Sequence, residues 1–179
     1  MRTSLIAAAL LVLLGAGCGQ PENGPGPAGK KRAPAQRVED AIYVIEGRPV
    51  TFDDGTAIVM DAPGSSAATT FNIFGTPVTA DLDSDGDADA ALTITVDTPG
   101  TGTFFYVAAA IKEDWGYRGT EAYPLGDRIA PQTLEVREGL IVANYAERAE
   151  GEPMTAPPSV GVSRFYRIVE GQLQEAPQP

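Results

Sequence analysis

The chain has 179 residues, no histidine, one cysteine and a formal net charge of −11 at pH 7. Without histidine there is no Ser-His-Asp or Cys-His catalysis, no His-ligated zinc and no imidazole acid–base chemistry. The acidic balance has the wrong sign for contacts to nucleic-acid phosphates.

Arg2 precedes an apolar run over 5–14, too short to cross a bilayer as a finished helix, and the run ends in Gly15-Ala16-Gly17-Cys18. Residues 1–17 therefore read as an export signal. Their end resembles the bacterial lipobox, although Gly15 stands where that pattern prefers leucine. The resemblance implies lipidation of Cys18 and membrane attachment through it; a plain secretory signal is the alternative, giving a secreted or periplasmic protein. Gly19 after the cysteine implies the outer membrane in a host that has one.

Residues 18–37 are Pro, Gly, Ala and Gln around a basic knot, Lys30-Lys31-Arg32, with almost nothing to bury. That composition predicts a disordered tether spanning roughly 25 Å as a flexible coil. The knot suits either anionic lipid heads or simple solubility.

Residues 38–173 are long enough for one core and carry the pattern of strands. Ala41-Ile42-Tyr43-Val44-Ile45 and Pro49-Val50-Thr51-Phe52 flank a tight turn at Glu46-Gly47-Arg48, and Asp53-Asp54-Gly55 turns the chain into Thr56-Ala57-Ile58-Val59-Met60. Strands over 69–74 and 78–80 lead to the densest chemistry in the chain, Asp81-Leu82-Asp83-Ser84-Asp85-Gly86-Asp87-Ala88-Asp89.

These alternating carboxylates suit Ca²⁺, a hard cation taking ~6–8 oxygens. Asp81, Asp83 and Asp85 converge only if the backbone curls, and Gly86 adopts the required conformation without a Cβ penalty. Asp87 is expected to offer its carbonyl, and Asp89 to close the site directly or through water. Position 12 is Leu92, where an EF-hand needs a bidentate glutamate, and the residues after Asp89 have a β-branched strand pattern. The loop resembles the Asp-x-Asp-x-Asp-Gly-x-x-Asp calcium loops of FG-GAP and VCBS repeats. Since it occurs once, the resemblance implies a calcium loop and not a propeller. A solvated acidic turn is the competing reading, but carboxylates this close repel by roughly 1 kcal/mol per pair even in water.

Beyond the loop, strands are predicted over 90–96, 103–111, 117–123, 133–136, 140–145 and 160–169, the second apolar nearly throughout and therefore central. Turns recur every eight to twelve residues or so, and no sustained helical stripe follows the signal. The expectation is an all-β, single-domain antiparallel sandwich or open barrel, with a disordered tail over 174–179. The order of acidic loop, Gly-Thr-Phe-Phe-Tyr-Val, Leu-Gly-Asp-Arg-Ile-Ala-Pro-Gln and Val-Ala-Asn-Tyr-Ala-Glu-Arg resembles that of uncharacterised bacterial envelope lipoproteins. That likeness implies export and a shared fold, and lends no catalytic residue.

Trp115 and Tyr117 are candidate ligand contacts, an aromatic platform for a sugar or peptide, with a Trp capping the core as the plainer alternative. The expectation for function is a lipid-anchored envelope module with structural calcium, non-enzymatic, whose partner is an envelope protein or glycan. The alternative is a carboxylate-dependent hydrolase of envelope glycans, drawing on Glu121, Asp127, Glu135, Glu138 or Glu147, none of which the spacing singles out.

Overall fold

Alternating β-branched and aromatic residues fold here into antiparallel strands. The computed structural model describes residues 34–179 apart from 61, 63, 65 and 101. The signal, Cys18 and the basic knot lie outside the described residues. A 3-10 turn, Val38–Asp40, precedes β1 (Ile42–Ile45) and β2 (Arg48–Thr51). Glu46 and Gly47 join these strands at φ 52° and 73°, the paired positive φ of a type I′ turn, whose twist matches that of the flanking strands.

Next come β3 (Thr56–Met60), β4 (Ala68–Ala80), β5 (Asp89–Asp97) and β6 (Thr103–Glu113). They are followed by β7 (Gly116–Gly119), β8 (Tyr123–Asp127), β9 (Ala130–Arg137), β10 (Leu140–Glu147), β11 (Val160–Val169) and β12 (Gln172–Ala176).

One sheet runs β3-β4-β5-β6-β7, with β8 taking over from β7 along β6; a second runs β12-β11-β10-β9; and β1-β2 stands as a separate hairpin. Strict period-2 alternation along β5 and β6 divides their side chains between two cores. Leu92, Ile94, Tyr106, Ala108 and Ala110 pack with Tyr43, Ile45 and Phe52 of the hairpin side. Ala91, Phe105, Val107, Ala109 and Ile111 pack with Ile141, Ala143, Tyr145 and Tyr166 of the second sheet. Both faces of β5 and β6 are thus buried, which is why β6 reads as apolar nearly throughout. The all-β sandwich is as expected, without closure into a barrel, and the hairpin adds a third layer.

The expected boundaries shift at both ends. The tether was to extend to Arg37, but the Ala35 carbonyl accepts the Tyr117 N–H at 2.7 Å and the Gln36 amide donates to the Trp115 carbonyl at 3.0 Å. The tail expected over 174–179 instead contributes β12, which pairs Leu173 with Ile168 and Ala176 with Phe165.

The strand expected over 117–123 is two strands. Thr120, almost fully buried, accepts the Ala109 N–H on its hydroxyl at 3.1 Å, and its carbonyl accepts the Val44 N–H at 3.1 Å. The segment between β7 and β8 therefore stays bonded to β6 through the Thr120 N–H and hydroxyl, out of regular ladder register, while Thr120 and Ala122 fasten β1 to the main sheet.

Candidate metal centre

The acidic loop connects β4 to β5 at one end of the main sheet. Two opposed demands shape it. Its even positions need room to turn, met by Ser84 at φ 68° and Gly86 at φ 95°. Its carboxylates need donors, and the backbone supplies them.

Asp81 accepts the Ser84 N–H on Oδ1 at 2.7 Å and the Gly86 N–H on Oδ2 at 3.2 Å. Asp83 accepts from the Asp85 N–H at 3.2 Å, and Asp85 from the Asp87 N–H at 2.8 Å. These are side-chain turns of the kind that Asp favours locally.

Asp89 differs from the other four. It is fully buried, and a buried carboxylate is tolerable only when its oxygens are hydrogen-bonded. Its Oδ2 accepts the Leu82 N–H at 2.9 Å and its Oδ1 the Lys112 N–H at 2.8 Å. One side chain thereby ties the start of the loop to the end of β6. Leu82 completes the anchorage by burying its side chain in the core shared with the second sheet.

Of the five aspartates expected to act together, Asp81, Asp83 and Asp89 each bring a carboxylate oxygen within 4.8 Å of the others. Asp85 and Asp87 are outside that group, and Asp85 turns back onto its own loop. Crowding of the loop around Asp83, and next the charge of Asp89, raise the Asp83 carboxyl above the ordinary aspartate range; Asp85 and Asp81 add to this, against the Asp85 N–H. The electrostatics are those of a cluster short of positive charge. The donors are hard oxygens, the chemistry that suits Ca²⁺ or Mg²⁺ and not a thiolate- or imidazole-seeking ion. The three carboxylates could hold a hard cation whose remaining ligands would come from backbone carbonyls or water.

Trp115, at the β6–β7 turn, is 48% exposed. Tyr117 is half-buried, donates its hydroxyl to the Ala88 carbonyl at 3.1 Å and has the Lys112 ammonium 4.8 Å from its ring centre. That hydrogen bond braces the acidic loop. Leu82, Lys112 and Tyr117 are the supporting residues that sequence reasoning did not assign to the site. Leu82, the apolar residue between Asp81 and Asp83, carried a readable signal for burial.

Glu135 bonds Thr133 and Arg137, which hold it below the usual glutamate range. Asp127 and Glu147 border one open cleft of about 410 Å³.

Compared with protein-family models, with curated proteins and with solved structures, the chain matches none.

Proposed function

We propose that this chain is a lipid-anchored module of the cell envelope, held to the membrane through Cys18, whose β domain is stabilised by one Ca²⁺ and which acts by binding or by structural support rather than by catalysis. The observation that carries the reading is the convergence of Asp81, Asp83 and Asp89 within 4.8 Å in a loop pinned to β6. A cation there relieves their mutual repulsion, and the pinned frame limits the ordering that binding must still impose. The lipobox-like end at Cys18 supports the anchoring, and the absence of histidine from the sequence supports a non-catalytic role.

The test is the thermal midpoint of the full chain in chelator, then in rising calcium, with magnesium as control. A ligand that binds only the folded state adds about 2.7 kcal/mol at ~100 times its dissociation constant. Calcium is expected to raise the midpoint by several degrees at concentrations where magnesium does not. A folded chain whose midpoint ignores both ions would remove the calcium from this reading.

A further inference from the structure

At the opposite end of β5 from the acidic loop, ~25 Å away at ~3.3 Å per residue, the hairpin layer stops short. The β1–β2 hairpin is too narrow to cover the whole main sheet, and its tip overhangs a cleft of about 310 Å³. The floor is apolar and aromatic, made by Ile45, Phe71, Val96, Phe104 and Tyr106. Two opposite charges stand at the tip, Glu46 and Arg48, and both line the same cleft.

The carboxylate of Glu46 is held in place. Tyr106, nearly buried, donates its hydroxyl to Glu46 Oε1 at 2.7 Å. The type I′ turn fixes the backbone of Glu46 at φ 52° and Gly47 at φ 73°. One hydrogen bond leaves most of a carboxylate's acceptor capacity unused. Arg48 is the counterpart. Arg37, Arg118, Arg128, Arg137 and Arg164 each have a carboxylate partner, while Arg48, Arg148 and Arg167 have none among the described residues, and of these three only Arg48 lines this cleft, in a chain of net charge −11. Its guanidinium offers five N–H donors in a planar fork suited to a carboxylate.

We propose that this cleft binds a small zwitterion with an apolar body, of the class of aromatic or large aliphatic α-amino acids. The apolar side chain would lie on the Phe71, Phe104 and Tyr106 floor, the ammonium would meet Glu46, and the carboxylate would meet Arg48. A purely anionic ligand would face the Glu46 charge, and a purely cationic one the Arg48 charge; only a ligand with both signs answers both. The volume is at the small end of the ~300–1,000 Å³ range of ligand clefts, which favours a single amino acid over a peptide. The site is separate from the acidic loop, and its occupancy does not depend on calcium.

The probe is L-phenylalanine, titrated calorimetrically into the full chain, with 3-phenylpropionate, phenethylamine and glycine as the partial ligands. L-phenylalanine is expected to bind, with each partial ligand at least about tenfold weaker, since loss of a charged hydrogen bond or of the apolar contact costs on the order of a factor of ten. Arg48→Gln, at an exposed position, is expected to weaken binding about tenfold while leaving the circular dichroism spectrum and thermal midpoint unchanged, and Glu46→Gln, whose amide oxygen still accepts from Tyr106, to weaken binding about tenfold with the circular dichroism spectrum unchanged. No heat of binding at ligand concentrations up to about 10 mM would overturn the proposal. So would binding that both variants leave intact. Loss of the calcium response with retained phenylalanine binding, or the reverse, separates this site from the acidic loop.

Discussion

Asp89 and Asp83 lie in one loop, yet their substitution should have opposite consequences without metal. Asp89 satisfies two backbone donors from a fully buried position. Asp89→Ala strands both, and each buried unsatisfied group costs ~1–3 kcal/mol, so the variant should melt well below the parent in chelator as in calcium. Asp83 is exposed and surrounded by like charge. Asp83→Ala should leave the midpoint in chelator unchanged or slightly higher, and should abolish the rise produced by calcium. Thermal melts of both variants in the two conditions decide the matter: equal behaviour of the pair would mean that the aspartates do not divide into a structural staple and a metal ligand. Gly86 adds a backbone requirement, since at φ 95° a β-branched side chain is strained. Gly86→Val is expected to destabilise the chain in either condition.

At the scale of elements, the loop is held by packing as well as by hydrogen bonds. Leu82→Ala removes a nearly buried side chain from the core shared with the second sheet and should lower stability by about 2–5 kcal/mol, by the same amount with and without calcium. Urea denaturation in chelator and in calcium measures this; a loss seen only in calcium would mean that Leu82 serves the metal and not the core. The hairpin layer depends on a close approach at β7. A Cβ on Gly119 would run into the Ile42 carbonyl and the Tyr43 ring, so Gly119→Ala should loosen β1 from the main sheet and speed amide exchange in the hairpin. Unchanged exchange at Tyr43 and Val44 would show that the contact is dispensable.

Much at this scale was legible in the sequence. Glu46-Gly47 and Asp54-Gly55 both adopt the paired positive φ that turn chemistry requires, and the two-faced burial of β6 follows from its unbroken apolar run. β12 escaped because its two buried residues, Leu173 and Ala176, lie three apart among exposed Gln172, Gln174 and Glu175, so no period-2 alternation registers. The split of 117–123 escaped because its cause, the Thr120 hydroxyl meeting the Ala109 N–H, spans eleven residues and leaves no local mark. The acidic loop was legible in position and composition. What spacing alone did not reveal is that Asp85 spends its carboxylate on the Asp87 N–H and that Asp89 works as a staple.

For the molecule as a whole, the three layers bury tyrosines from each part of the fold, and this sets an alkaline limit on stability. Burial raises the phenol of Tyr43, and next the Glu39 charge; burial and the Glu46 hydrogen bond raise Tyr106; burial and the Glu175 charge raise Tyr166. Tyr43 and Tyr106 belong to the hairpin-side core and Tyr166 to the other, so all three layers share the dependence. Each folded-state phenol titrates above its unfolded value, so its contribution is fully present below the unfolded value of ~10 and is lost as pH rises beyond it, because only the unfolded chain ionises freely there. Stability should therefore be insensitive to these groups near neutrality and decline from about pH 10 upward. In a titration followed by phenolate absorbance, Tyr43, Tyr106 and Tyr166 should ionise only together with loss of near-ultraviolet dichroism. Tyr166→Phe should flatten the alkaline decline, since it removes one linked proton without removing the buried ring. Ionisation of all three tyrosines in a single reversible step, with the dichroism unchanged, would mean that the interior admits phenolate and that the two cores are less tightly closed than their packing implies.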